Sequence, residues 1–363
     1  MLKRPSSKMK RPDSSSKKSS KPKISWPGQQ RQQDHLALAA QAQVAAPSPK
    51  AALNYEPLQA ALPPMPHFPQ TEFLGKAGAP LWISPLSLGP QSKKINQALA
   101  QACAEFKLGW MLGSLRSLLA VVRTQGWSAP ILKDYRWREV VGHNHLWGNL
   151  GISQLALLVA QHDEQILYDL MAFLELDGLV VHLNPLQEWW QKEGDRYTQH
   201  PLDVLSKFLA AQKVKVIVKE VGQGLGPWSL ARLGELPLAA IDLAGQGGTN
   251  FTRLEALRSG RPDFGLAKVG HSLEEMTAMI CQQPLKTVKN FILSGGVREI
   301  PPVYQCHLQL KAVGAASVVA LGYPLLGPAR QGPAALKAFL AAWLHAWEAA
   351  TRFLNLAGPG ERI

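Results

Sequence analysis

Eight short apolar runs punctuate the chain, at residues 81–84, 108–113, 146–151, 178–184, 215–221, 239–245, 290–296 and 317–322. Each has the length of a buried strand, and several are rich in β-branched residues, as in Val216-Ile217-Val218. Such continuous runs mark strands covered on both faces. Helical spacing returns between them. Ile95, Leu99, Ala102 and Cys103 share one face of the segment 92–106, and residues 202–212 have the same character. Strand and helix alternating eight times predicts a parallel sheet closed into a (β/α)8 TIM barrel, within the α/β class. An open doubly wound sheet is the competing architecture, but no G-x-G-x-x-G follows the first run. The Ala-, Leu- and Trp-rich stretch 333–350 is interrupted by Lys337, His345 and Glu348, which predicts an amphipathic packing helix.

Nearly every run ends in glycine and polar residues. These ends carry Ser87, Gly113-Ser114, Asn149, His182 and Asn184, Lys219-Glu220, Gly245 to Thr249, Ser294 to Gly296, and Gly322. In a (β/α)8 barrel they all lie on one rim, the C-terminal mouth, where active sites are built.

Composition adds a boundary. Residues 1–31 hold ten Lys and Arg against Asp13 alone, so most of the net charge of +13 belongs to this segment. It is Ser-, Lys- and Pro-rich with few large apolar side chains, which predicts a disordered tail over residues 1–30 ahead of a catalytic barrel over 31–363. A nucleic-acid-binding arm is one reading of the tail; a solvated extension is the plainer one, and no nucleic-acid partner is expected. The tail has no apolar core of a signal peptide, and no run in the chain is long enough to span a membrane. Cys103, Cys281 and Cys306 are odd in number and lack metal-ligand spacing, so a cytoplasmic protein with three buried free thiols is expected.

The candidate chemistry sits on the polar ends. Gly295-Gly296, Gly322 and Gly247-Gly248-Thr249 follow the last three runs, where backbone N–H groups of a barrel often hold a phosphate. Ordinary turn chemistry would also place glycine there. Lys219 ends the fifth run, either as a cation for a bound anionic ring or as a rim lysine paired with Glu220 or another acid. In His182-Leu183-Asn184-Pro185-Leu186-Gln187-Glu188, period 2 puts His182 and Asn184 on one face. Pro185 is expected to stop the strand, leaving Gln187 and Glu188 in the following loop. A carboxylate among neutral donors suits Mg²⁺ shared with a substrate phosphate, while His182 alone could equally be structural.

The segment 182–188, followed by Glu193-Gly194-Asp195-Arg196, resembles the HLNPLQE…EGDR segment of type 2 isopentenyl-diphosphate isomerases. Residues 218–224 are similar to their VKEVG strand, and 242–251 (DLAGQGGTNF) to their sixth-strand loop. Phe73 to Lys76 with 80–84, Lys94-Ile95-Asn96, Asn149-Leu150-Gly151 with Gln154-Leu155, and 294–298 match in order, so the resemblance runs from about residue 31 to 325.

The resemblance implies an FMN-dependent, Mg²⁺-requiring barrel enzyme that interconverts isopentenyl and dimethylallyl diphosphate, with NADPH as reductant of the flavin and a homo-oligomer of four or more subunits. It implies FMN contacts from Ser87, Ser114, Asn149, Lys219, Thr249, Gly295, Gly296 and Gly322. Substrate contacts are implied for Arg31, His35, Arg116, His182, Asn184 and Gln187, with His182 and Gln187 as catalytic candidates and Glu188 as the metal ligand. Three positions depart from the family pattern: Gln32 replaces a lysine, Leu88 a glycine and Leu115 a glutamine. The first two imply weaker affinity for diphosphate or flavin. Another FMN-barrel enzyme, such as a hydroxy-acid oxidase, and a non-catalytic binding protein are the competing functions. The Gln187-Glu188 pair argues against a purely redox role. Trp189, Trp190, Trp343 and Trp347 could anchor subunit contacts or pack within the chain.

Overall fold

A computed structural model describes residues 53–62, 68–86, 92–192, 194–211 and 213–356. Arg31, His35 and Ser87 therefore lie outside the described residues, as do Gln32, Leu88 and the expected tail.

The barrel strands are β1 Leu81–Ile83, β2 Gly109–Ser114, β3 Leu146–Gly151, β4 Gly178–Leu183, β5 Val216–Glu220, β6 Ala240–Asp242, β7 Asn290–Leu293 and β8 Ala316–Leu321. Each pairs in parallel with the next, and β8 pairs with β1, closing the ring. This is the predicted (β/α)8 architecture, with strand ends within a few residues of the apolar runs. The largest discrepancy is β6: of the run 239–245 only Ala240–Asp242 are strand, although Leu243 N and Gly245 N still donate across to Ile292 O and Ser294 O.

Helices follow every strand. Ser92–Phe106 forms as the spacing predicts, the 202–212 pattern becomes Pro201–Ala210, and the C-terminal pattern becomes Pro333–Phe353. Apolar faces of these helices and the outward side chains of the strands make one continuous core. Trp347 lies inside it, stacked on Trp343 with centroids 5.3 Å apart, so this pair packs within the chain. Trp189 is exposed. Cys103 and Cys306 are buried as expected, whereas Cys281 is only half-buried. Among the described residues, no helix is long and apolar enough to cross a membrane.

A second, smaller core fills the barrel interior: Phe73, Trp82, Met111, Trp147, Val180, Ile217, Ala240, Ile292, Val318 and Ala320. Size complementarity sets its floor. A Cβ on Gly109 would run into the Trp82 indole, and one on Gly178 into the Trp147 ring and the Lys215 carbonyl. The hairpin Thr71–Phe73/Lys76–Gly78 closes the floor from below. Its two-residue turn, Leu74-Gly75, has φ of 51° and 82°, the positive values that a tight hairpin turn demands. Asp177 holds the plug: it bonds Lys76 Nζ at 2.6 Å, Arg138 at 3.1 Å and the Leu146 N–H at 2.8 Å. Beside it His145 bonds the Phe73 carbonyl through Nε2 at 2.7 Å and accepts from Trp147 Nε1 at Nδ1. Burial keeps its pKa down and the ring neutral.

Candidate active site

The opposite end of the barrel gathers the chemistry. Ladder register places Gly151, His182, Lys219 and Asp242 side by side across β3 to β6. One row earlier on β3, Asn149 stands opposite Ser114. Because side chains alternate along a strand, this row is an inevitable neighbourhood once the ring closes in register.

Asn149 is buried, and its amide oxygen lies 3.0 Å from His182 Nδ1. An amide oxygen only accepts, so this hydrogen bond assigns the imidazole proton to Nδ1 and leaves the Nε2 lone pair facing Gly151. Burial, with the Lys219 charge adding to it, lowers the His182 pKa to about 3. In the ligand-free protein this histidine is neutral at physiological pH and acts as an oriented hydrogen-bonding group.

Lys219 is buried at the end of β5. Its Nζ lies 3.8 Å from Asp242 Oδ2 and donates to the Glu220 main-chain oxygen at 2.5 Å. The Glu220 side chain turns elsewhere. One of its oxygens accepts from the N–H groups of Gly222, Gln223 and Gly224, at 2.7, 2.6 and 3.1 Å. The acid paired with Lys219 is thus Asp242, which is fully buried and accepts from Ser294 Oγ at 2.5 Å and Ala244 N at 3.2 Å. Burial raises the Asp242 carboxyl above the ordinary range even though Lys219 pulls it down.

The segment after β4 corrects one expectation. Gln187 and Glu188 stand on a helix, Pro185–Trp190, and not in a loop. Pro185 does end the strand, but it also opens the helix, since its fixed φ suits a first helical turn and its missing N–H costs nothing there. Asn184 caps the step. Its Nδ2 donates to Gln187 Oε1 at 3.2 Å and Glu188 Oε1 at 3.1 Å. Glu188 Oε2 accepts the Asp195 N–H at 2.8 Å.

Further round the rim, Arg116 begins the helix after β2 and pairs with Asp195 Oδ1 at 3.2 Å. Asp195 Oδ2 accepts from Gln154 Nε2. The glycine loops after β6 and β7 press on each other: Gly295 and Gly296 have φ of 85° and 70°, and a Cβ on Gly295 would overlap the Gly245 main chain. Arg298 reaches the Gly247 carbonyl at 3.3 Å. Thr249 lies exposed on the same loop, and Gly322 opens the helix Tyr323–Gln331 at the end of β8. Among the described residues, a Cβ on Gly322 would make ordinary contacts with Ser84 and Leu86, at 3.5 and 3.6 Å.

All the described candidates therefore stand at the C-terminal ends of the strands. Sequence reasoning missed Ser153, and it named Asp195, Asp242 and Ser294 within motifs or strand ends without giving them a role. Period 2 on β6 could have found Asp242; the contact of Asp195 with residues far away in sequence left no local signal.

No family model matches the chain. Among curated relatives it is 33% identical over 317 residues to an isopentenyl-diphosphate delta-isomerase from Synechococcus sp., covering 83% of each chain. It is 36% identical over 279 residues to the enzyme of that name from Deinococcus radiodurans, covering 74% of this chain and 76% of that one. Among solved structures it is similar to mandelate oxidase, at 13% identity with a TM-score of 0.48, covering 83% of this chain and 82% of that one. Both relatives are more than 30% identical over more than two thirds of each chain, and the chain belongs to the type 2 isopentenyl-diphosphate delta-isomerase family.

Proposed function

We propose that the barrel mouth binds FMN and a prenyl diphosphate and that the protein interconverts isopentenyl and dimethylallyl diphosphate. One observation carries this reading: a family relationship across most of the chain coincides with His182, Asn184, Gln187, Glu188 and Lys219 converging on one rim.

The mouth fits a flavin mononucleotide. Asp242 Oδ2 and Asn184 Oδ1 are buried without a hydrogen-bond partner among the described residues, a costly condition that a polar ligand relieves. The Lys219 ammonium, Asn149, Ser114 and Thr249 would hold the ring and ribityl chain, and the Gly295-Gly296 and Gly322 loops the phosphate, beside a helix N-terminus that favours anions. When bound and reduced, the flavin supplies an electron-rich face that stabilises charge developing on the allylic carbons. Lys219 offsets negative charge on that ring, and Asp242 keeps the ammonium in place. His182, Asn184 and Gln187 would orient the diphosphate through hydrogen bonds to its oxygens, with His182 and Gln187 as the catalytic candidates. Arg116 contributes a cation to the phosphates, and Arg31 and His35 are assigned the same task on the strength of the family pattern.

Glu188 also fits a magnesium ion. Its carboxylate accepts two hydrogen bonds, so lone pairs remain for a cation. Among the described residues no group of three His, Cys, Asp or Glu could hold a metal by itself. The ion would thus be shared with substrate oxygens and water, as Mg²⁺ prefers. NADPH is the proposed reductant of the flavin, and the proposed location is the cytoplasm, as a homo-oligomer.

The test is anaerobic conversion of isopentenyl diphosphate by protein loaded with FMN, reduced with NADPH and supplied with Mg²⁺. Dimethylallyl diphosphate should accumulate to equilibrium. Flavin binding and reduction with no double-bond shift would reject the isomerase reading and favour a redox enzyme; failure to bind FMN would favour a non-catalytic protein.

A further inference from the structure

The loop after Pro185–Trp190 is fastened back by three hydrogen bonds, two of them to Glu188. Asp195 N donates to the Glu188 carboxylate at 2.8 Å, Arg196 Nη1 donates to the Glu188 main-chain oxygen at 2.8 Å, and Gly194 N donates to Gln191 O at 3.1 Å. Gly194 lies so close over the Glu188 carbonyl that a Cβ there would overlap it. From this anchored loop the Asp195 side chain reaches away from Glu188. Oδ1 meets Arg116 Nη2 at 3.2 Å; Oδ2 accepts from Gln154 Nε2 and stands 3.5 Å from Ser153 Oγ. One residue thus joins the ends of β2, β3 and β4.

We propose that Asp195 is a positioning residue that couples Arg116, which binds the substrate diphosphate, to Glu188, which holds its magnesium ion. The inference rests on the function proposed above. Stability gives no sufficient reason for the arrangement, because Arg116 is half-exposed and an ion pair at such a surface contributes little. What the contact does is geometric. A long arginine side chain at a helix start is held in one place, and of its five N–H donors the recorded bond to Asp195 engages only one. The others stay available to phosphate oxygens. Gln154 and Ser153 fix the carboxylate in turn, and the backbone of the same residue orients Glu188. Cation and metal ligand are therefore set at a fixed separation before substrate arrives, which reduces the ordering cost of binding.

The experiment uses the FMN holoenzyme and calorimetric titration with inorganic pyrophosphate in the presence of Mg²⁺, alongside kcat, KM and the Mg²⁺ dependence of turnover. Asp195→Asn keeps the backbone N–H and the size but removes the charge. It should weaken Mg²⁺–pyrophosphate binding and raise KM about 10-fold, the lower end for loss of a group that orients a metal or phosphate ligand. Turnover at saturation should change by less than about 3-fold, and FMN affinity should not change. Arg116→Gln should cause a similar loss, and the double variant should be no worse than the weaker single variant, since coupled residues are non-additive. Unchanged pyrophosphate affinity in Asp195→Asn, or additive losses in the double variant, would overturn the proposal. Should Asp195→Asn lose FMN, Gln154→Leu decides the matter: it keeps the Asp195 charge but removes its orienting donor, and unaltered pyrophosphate binding then overturns the proposal. Wild-type protein that binds Mg²⁺–pyrophosphate with this coupling but shifts no double bond would reject the isomerase reading and leave the positioning role standing. Wild-type protein that binds no pyrophosphate would reject both.

Discussion

The two ends of this barrel treat buried polarity in opposite ways. At the floor, Asp177 is bonded to Lys76, Arg138 and a backbone N–H, and His145 is bonded at both nitrogens. Trp82 and Trp147 occupy the space that Gly109 and Gly178 leave. At the mouth, Asp242 and Asn184 each keep a buried oxygen without a hydrogen-bond partner among the described residues, and Lys219 stands 3.8 Å from its acid. Satisfied groups and close packing around Trp82 and Trp147 make this part of the floor a stability element. Among the described residues the mouth keeps unmet bonding capacity that a ligand can use, which is what a binding site needs and a core avoids. Separating the two lets the fold carry a strained site without losing its base.

The sharpest break of this contrast is Gly178→Val. The added side chain would meet the Trp147 ring and the Lys215 carbonyl, and overpacking there should cost ~3 kcal/mol or more in urea denaturation. A loss under ~1 kcal/mol would mean the floor yields easily and is not the rigid partner in the comparison.

Next comes Glu188→Gln at the mouth. Isomerisation should fall about 100-fold, equivalent to ~2.7 kcal/mol of barrier, with partial recovery at high Mg²⁺. The denaturation midpoint should barely move, and FMN should remain bound. Wild-type rates would remove the metal assignment, and loss of FMN with activity would make Glu188 a floor-like residue.

A smaller effect, with a pH signature, belongs to Asp177→Asn. Burial alone would raise the Asp177 pKa, but the Lys76 hydrogen bond, the Leu146 N–H and the Arg138 charge outweigh it and the net shift is downward from 3.8. A carboxyl depressed in the folded state adds stability above its unfolded pKa and loses it as pH falls through the folded value. The wild type should therefore exceed the variant by about 2 kcal/mol at neutral pH. That margin should shrink only below about pH 4. A margin that is the same at pH 7 and at pH 3 would place the stabilisation in shape rather than in charge.

The smallest expected effect is a silence. With its pKa at about 3, His182 of the ligand-free protein should show no titration of its ring signals by NMR between about pH 5 and 8. A midpoint near 6.5 would mean that water reaches the ring freely and that the mouth is less enclosed than its geometry implies.

How much of this was legible in the sequence follows from the same division. The eight strands announce themselves because a parallel barrel buries both faces of each strand, so Val216-Ile217-Val218 reads as an unbroken apolar run. The polar row was legible as residues, since strand ends break those runs, but its internal partners were not. Lys219 was expected to face either a ligand or an acid such as Glu220. Its acid is Asp242, because the ladder sets β6 beside β5 and the Glu220 side chain is used up by three backbone N–H groups. The helix carrying Gln187 and Glu188 was hidden because proline ends one element and begins the next with equal ease. The contacts of Asp195 were hidden, although the residue itself lies in a quoted motif, because its partners Arg116 and Gln154 come from two other strand ends.

The ring closure has a consequence for the history of such a protein. His182, Lys219 and Asp242 are level with one another through backbone ladders alone, and a closed sheet has no free edge along which one strand can slip. The loops can then be exchanged one at a time, as cassettes on a fixed chassis. A lineage can rewrite what the mouth grips while the row beneath it holds its level.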